Sequence, residues 1–202
     1  MFGSFNLKSS YSMLESLIPL KELIEKAKDN DYDFIALTDN FLHGTIELFN
    51  YAKKYNIKPI LGMSFKVYEP NEDLFLLYVK NEEGYKNLLK LSYLKSKGEK
   101  LSLDEILKYQ KGLIVVTGGY KSLIDQTLLY GNELEVNNYL KKYNELFDDF
   151  YIGIATNYNI QIKQSVPFLY KLAESNNYNV LLIHETNYLL KTDKSTYEAL
   201  IK

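Results

Sequence analysis

The sequence has no cysteine, two histidines and no long run of apolar residues, and these shortages exclude several classes of protein. Without cysteine the chain cannot form disulfides, thiolate metal sites or a cysteine nucleophile. Only His43 and His184 could supply imidazole ligands. The apolar runs are strand-sized, and no basic segment with a long apolar stretch opens the chain, so we expect neither a membrane span nor a secretory signal. We therefore expect a cytoplasmic protein without membrane contact.

An excess of charge of one sign is missing as well. The 24 Lys and Arg residues nearly balance 26 Asp and Glu residues, which leaves a net charge of −2. A dedicated nucleic-acid binder usually carries a basic excess, so the composition argues against DNA binding by this segment alone. A mildly basic stretch is formed by Lys86, Lys90, Lys95, Lys97 and Lys100. It is interpreted as a solvated face, with contact to DNA or to a partner as the alternative.

Short apolar segments alternate with helical patterns along the whole chain. Strands are predicted at residues 2–7, 34–37, 58–62, 74–79, 113–117, 150–155 and 180–183, and residues 65–68 extend the third or begin another. Helices are predicted at residues 19–30, 45–55, 82–94, 103–109, 122–130, 133–147, 161–175 and 193–201. Such alternation favours a largely parallel sheet in one α/β domain over residues 1–202. The pattern leaves an open sheet and a closed barrel as alternatives, and an irregular seven-stranded barrel fits it.

Two of these helices have predicted inner faces. In the second helix the face is expected to contain Ile46, Phe49 and Ala52. In the helix that begins at residue 82 it is expected to contain Leu88, Leu89 and Leu91.

The segment 33–44 (DFIALTDNFLHG) is the most informative stretch. Asp39 follows its apolar strand, and ligands of α/β proteins bind beyond the carboxyl ends of strands. With Glu185 it could hold one weakly bound cation, although such a carboxylate more often caps a helix or accepts backbone N–H bonds. His184 follows the last strand and is either a general base or a packed, hydrogen-bonded residue. Gly118 and Gly119 form either a phosphate-binding loop or a turn, and the missing P-loop residues favour a turn.

Seven short segments occur in the order of a known family. They are residues 9–14 (SSYSML), 35–40 (IALTDN), 57–62 (IKPILG), 80–91 (KNEEGYKNLLKL), 111–118 (KGLIVVTG), 148–151 (DDFY) and 187–189 (NYL). Through them the chain resembles the PHP domain at the amino terminus of bacterial DNA polymerase III alpha subunits, in a form similar to those of low-GC Gram-positive bacteria. The third and fourth segments are specific to the polymerase branch. The resemblance implies a distorted seven-stranded (β/α) barrel related to the TIM barrel.

The resemblance also implies a site for up to three divalent metals, held by nine His, Asp, Glu and Cys side chains. In this sequence those positions fall on Ser4, Asn6, Asp39, Asn40, Ser64, Gly119, Asn157, Glu185 and Asn187. Two carboxylates remain among them, and neutral oxygens do not replace imidazoles for zinc or manganese. We therefore expect a vestigial pocket with neither catalytic residues nor a bound metal.

The preferred hypothesis is a structural domain of a replicative DNA polymerase, cut from the amino-terminal part of a much longer chain. By resemblance, the longer chain synthesises DNA with Mg²⁺. The domain would support the palm and thumb of that longer chain and contact a proofreading exonuclease subunit. It would bind DNA only as part of the full-length enzyme. Two alternatives are an active metal-dependent phosphoesterase or 3′–5′ exonuclease, and a free-standing interaction domain without enzymatic activity.

Overall fold

The computed structural model describes residues 2–98, 100–156 and 160–201. The strands are β1 (Gly3–Leu7), β2 (Phe34–Leu37), β3 (Lys58–Val67), β4 (Asp73–Val79), β5 (Leu113–Thr117), β6 (Phe150–Ala155) and β7 (Val180–Ile183). The α-helices are α1 (Leu20–Asp29), α2 (Thr45–Tyr55), α3 (Glu82–Ser96), α4 (Leu103–Tyr109), α5 (Leu123–Leu129), α6 (Glu133–Leu146), α7 (Ile160–Asn176) and α8 (Lys194–Leu200). Short 3₁₀ helices occur at Leu42–Gly44, Gly119–Lys121 and Lys191–Asp193. Among the described helices, none combines the length and the hydropathy that a bilayer crossing requires.

The seven strands form one sheet in which their order follows the chain. The pairs β1–β2, β2–β3, β5–β6 and β6–β7 are parallel, whereas β4 and β5 are antiparallel. The predicted largely parallel sheet is therefore confirmed. The chain divides into two compact units, Met1–Met63 with His184–Lys202, and Ser64–Ile183.

The core of the first unit lies between its strands and helices α1 and α2. The helix α1 follows Pro19 and buries its apolar residues, which recur at helical spacing. The buried cluster includes Leu23, Ile24, Ile35, Leu37 and Leu48. The segment after β7 runs beside the end of β1, where the Lys8 N–H donates to the Thr186 carbonyl (3.1 Å).

The core of the second unit is rich in aromatic side chains. Phe75 on β4 meets Tyr143 on α6 edge to face, with ring centroids 5.3 Å apart. Phe147 and Phe150 stack beside them at 5.9 Å. These rings join α6 to the sheet, which explains why α6 buries one side.

The predicted inner faces of two helices are partly wrong. In α2, Ile46 is 73% and Phe49 53% exposed, and in α3 Leu89 is 43% exposed. The sequence of α2 contains a second apolar stripe at helical spacing, and this longer stripe packs in the unit's core: Leu48, Tyr51, Ala52 and Tyr55.

Candidate functional site

A buried lysine stands at the end of β1. Lys8 is 5% exposed, and its Nζ atom lies 2.9 Å from Glu15 Oε2 and 2.7 Å from Asn40 Oδ1. Glu15 belongs to the loop after β1, and Asn40 follows β2. A buried ammonium is costly unless it is paired and hydrogen-bonded, and here it is both. The sequence reasoning missed Lys8, because a lysine beside a strand is usually interpreted as an exposed residue.

Asp39, directly beyond β2, is 1% exposed and accepts three hydrogen bonds. Its Oδ1 atom accepts from the Ser9 N–H and the Ser12 hydroxyl, both at 2.7 Å, and its Oδ2 atom from the Ser9 hydroxyl at 2.5 Å. The expectation that this carboxylate accepts a backbone N–H is confirmed. Burial raises the pKa of Asp39, while the serine hydrogen bonds and the charge of Lys8 oppose that rise.

Asn40 connects this carboxylate to the lysine pair. Its Nδ2 atom donates to Glu15 Oε1 (2.7 Å), and its N–H donates to the Ser12 hydroxyl (3.1 Å). The Ser16 hydroxyl also donates to the Lys8 carbonyl (2.6 Å). We call Lys8, Ser9, Ser12, Glu15, Asp39 and Asn40 the Lys8 cluster. It ties the loop after β1 to the ends of β1 and β2.

The backbone of β1 changes direction within the predicted site. Asn6 has a left-handed conformation (φ +65°), and the pairing of β1 with β2 shifts register between Ser4 and Leu7. Asparagine tolerates this conformation better than most residues. Asn6 is buried and accepts from the Thr38 hydroxyl (2.9 Å), whereas Ser4 borders a cavity of about 230 Å³ together with Leu23 of α1.

The last two predicted site residues of the first unit follow β7. Asn187 Nδ2 donates to Glu185 Oε1 (3.3 Å) and to the Tyr197 hydroxyl (3.1 Å). The Asn187 carbonyl accepts from the Ser16 hydroxyl (3.1 Å), which also bonds Lys8. Asn187 is therefore joined to the Lys8 cluster through Ser16.

The second unit contains Ser64 and Gly119. Ser64 is 1% exposed, and its carbonyl accepts from Lys95 Nζ (2.9 Å), so Lys95 is not part of an open basic face. Gly119 has φ +63° and begins a 3₁₀ helix, which agrees with the predicted turn. A Cβ at Gly119 would press on the side chain of Ile183. Asn157 lies outside the described residues.

The second unit also buries two carboxylates that the sequence reasoning missed. Asp73 accepts from the N–H groups of Leu74 and Leu123 and from the Tyr143 hydroxyl, each at 2.7 Å. Asp125 accepts from the Ser122 hydroxyl (3.1 Å) at the start of α5. Burial raises the pKa of each aspartate to about 6. The Ser-x-x-Asp spacing was the available signal for Asp125.

Both histidines are exposed. His43 lies in the 3₁₀ helix before α2 and stacks on Phe41 with centroids 5.4 Å apart. His184 follows β7. Within residues 2–98, 100–156 and 160–201, no three His, Cys, Asp or Glu side chains form a group that could hold a metal ion.

Comparison with known proteins supplies the family. A family model of the PHP domain matches residues 4–157. The chain is 34% identical over 172 residues to the DNA polymerase III subunit alpha of Borreliella burgdorferi, covering 76% of this chain and 15% of that protein. It is 30% identical over 210 residues to the subunit of the same name from Bacillus subtilis, covering 98% and 18%. The chain thus spans less than a fifth of the length of these relatives.

Solved structures share the fold. An amidohydrolase from Chromobacterium violaceum superposes with a TM-score of 0.64 at 10% identity, covering 99% of this chain and 97% of that one. A two-domain protein from Bacteroides vulgatus, which contains a predicted PHP-like metal-dependent phosphoesterase, gives 0.61 at 12% identity, covering 98% and 55%. Together with the seven-stranded sheet, these likenesses confirm the predicted fold class.

Proposed function

This chain belongs to the PHP domain family, and we propose that it is a structural, catalytically inactive PHP domain of a DNA polymerase III alpha chain. Its similarity to alpha subunits of several bacteria supports the polymerase part of this proposal. The Lys8 cluster supports the proposal that the domain is catalytically inactive, because it holds a lysine ammonium among the polar groups at the ends of β1 and β2.

The Lys8 ammonium is the observation that carries the proposal. It is part of the chain, so it competes with any metal for Glu15 and Asn40 at a fixed, high local concentration. At 4 Å and an effective dielectric constant of 20, two like unit charges repel by roughly 4 kcal/mol, and a divalent ion meets about twice that. A metal in this cluster would therefore have to displace the ammonium.

The oxygen donors of the cluster do not fit a transition metal either. Asp39 already receives three hydrogen bonds, which a metal would have to break. The other oxygens are the serine hydroxyls, the Asn40 amide and the Glu15 carboxylate, whose two oxygens already accept from Asn40 and Lys8. Zinc prefers imidazole, thiolate or free carboxylate. We therefore expect no metal-dependent catalysis in this pocket.

We assign the Lys8 cluster a structural role instead. It fixes the loop between β1 and α1 against the end of β2 through charge-assisted hydrogen bonds, which are stronger than neutral ones. In the proposed longer chain, DNA synthesis with Mg²⁺ belongs to other regions. This domain supports the palm and thumb, presents a surface to a proofreading exonuclease subunit, and contributes stability rather than chemistry.

Hydrolysis assays test whether the domain is catalytically inactive. The purified chain is incubated with Mn²⁺ or Zn²⁺ and a phosphodiester or a 3′-labelled oligonucleotide, beside an Asp39→Asn variant. We expect equal background rates for both. A metal-dependent rate that Asp39→Asn abolishes would instead establish the phosphoesterase or exonuclease alternative.

The structural part is tested in the longer chain. Lys8→Met should leave the initial polymerase rate unchanged at low temperature and should shorten the half-life of that activity on heating. An unchanged half-life would contradict the supporting role. A gene whose reading frame ends at Lys202 would replace the polymerase assignment with the free-standing interaction domain.

A further inference from the structure

One side of α3 carries lysines and one tyrosine in a regular order. Lys86, Lys90, Tyr93 and Lys97 are spaced four, three and four residues apart, which places them on one face of the helix. Tyr93 is 61% exposed, and the lysines are exposed beside it. The ring of Tyr93 therefore lies open to solvent between positive charges.

The helix α4 extends this surface. Lys90 Nζ lies 5.4 Å from the ring centroid of Tyr109, and Lys108 Nζ lies 5.3 Å from the same centroid. Directly after the last residue of α3, Lys97 Nζ lies 4.9 Å from the centroid of Tyr93. Each ammonium is held near an aromatic face by a cation–π contact. Two tyrosines thus position three lysines. We call these five residues the α3–α4 surface: Lys90, Tyr93, Lys97, Lys108 and Tyr109.

Among the residues that the structure describes, the three lysines of this surface form no ion pairs with carboxylates, although the charge of Lys108 helps to lower the pKa of Glu105. In the described part of the chain, no Asp or Glu oxygen lies within 4.0 Å of Lys90, Lys97 or Lys108. By contrast, Lys86 pairs with Glu82 at 2.7 Å and Lys111 with Glu83 at 3.5 Å. The surface is therefore a local positive region on a chain whose net charge is −2.

We propose that the α3–α4 surface binds single-stranded DNA, with Lys90, Lys97 and Lys108 on phosphates and Tyr93 stacked on a base. Proteins that bind single strands without sequence preference combine such lysines with exposed aromatic rings. Ammonium groups already held near tyrosine rings lose less conformational entropy when they meet a phosphate. The proposal does not rest on the polymerase assignment, and it departs from the expectation that DNA is met only through a full-length enzyme.

The test is fluorescence anisotropy with a labelled oligo(dT) of about twenty nucleotides, which is long enough to cover such a site. Three phosphate contacts predict that log K falls with log[salt] with a slope of about −2. The triple variant Lys90→Ala, Lys97→Ala, Lys108→Ala should lose that slope and bind at least tenfold more weakly. A control variant with Lys28→Ala, Lys53→Ala and Lys141→Ala removes the same charge from exposed positions elsewhere and should bind like the parent chain.

The stacking contact has its own readout. Tyr93→Ala should weaken binding about fivefold or more, while the slope against salt stays unchanged because no charge is lost. An equal loss in the control variant would overturn the proposal, as would unchanged affinity in Tyr93→Ala or equally tight binding of duplex DNA. Failure here leaves the structural role untouched, since that role is measured by metal content and by heat inactivation.

Discussion

Replacing Lys8 by methionine isolates the contribution of one buried charge. Methionine keeps the unbranched apolar part of the side chain and ends one atom before the ammonium position, so Glu15 Oε2 and Asn40 Oδ1 lose their donor. The backbone bonds of Lys8 to Thr186 and Ser16 remain available. The variant therefore changes the electrostatics of the Lys8 cluster without opening a large cavity.

The expected loss follows from the two contacts. Hydrogen bonds to charged groups contribute about 1.5–3 kcal/mol each. The Glu15 side chain is 44% exposed, so water can rehydrate it and its share lies at or below the lower limit. Asn40 is partly buried, and the methionine recovers part of the loss by apolar burial. We expect Lys8→Met to lower the free energy of unfolding by about 2 kcal/mol.

Urea denaturation measures this difference. Because the chain has no tryptophan, far-UV circular dichroism is the suitable signal. With a slope of about 2 kcal/mol/M, the midpoint should fall by roughly 1 M. Lys53→Met on the exposed side of α2 is the matched control and should stay within about 0.5 kcal/mol of the parent. A Lys8→Met midpoint equal to that of the control would refute the role assigned to the ammonium.

Three further variants test other parts of the fold. Burial raises the pKa of Asp73 from 3.8 to about 6, so the folded state binds the carboxyl proton more tightly than the unfolded state does. The free energy of unfolding therefore falls by about 3 kcal/mol as the pH rises from about 4 to 6. Asp73→Asn should remove that part of the pH dependence in denaturation curves, leaving the part due to Asp125; an unaltered curve would contradict the assignment. Ser102→Ala removes the capping box of α4 and should cost about 1 kcal/mol in urea denaturation, and no change would contradict it. A Cβ at Gly84 would overlap the Gly112 carbonyl oxygen, so Gly84→Ala should lower the free energy of unfolding by about 3 kcal/mol. The thermal midpoint should fall accordingly, and an unchanged midpoint would contradict this packing.

Much of the fold could be predicted because local patterns decided it. The strands at 113–117 and 180–183 and the helix at 103–109 have the predicted bounds. The capping box at Ser102 and Glu105 was visible as a three-residue spacing. The inner face of α2 was not decided locally, because its sequence contains two apolar stripes and packing selected one of them.

The candidate site was harder to predict, because its contacts join distant parts of the chain. Lys8 meets Asn40 across 32 residues, and a lysine after a strand gives no local sign of burial. The left-handed Asn6 breaks the strict alternation of β1, so counting every second residue from Ser4 does not define one face. Asp39 was singled out correctly as a strand-end carboxylate, and its serine partners became visible only in the folded loop.

The metal content of the purified chain tests the central claim most directly. The untagged chain is incubated with excess Mn²⁺ and Zn²⁺, desalted, and analysed by inductively coupled plasma mass spectrometry beside Asp39→Asn. If the Lys8 ammonium has taken the place of metal, both proteins retain only the trace amounts of a protein without metal sites. A stoichiometric amount of either metal in the parent chain, lost in Asp39→Asn, would contradict the account and establish a working metal centre.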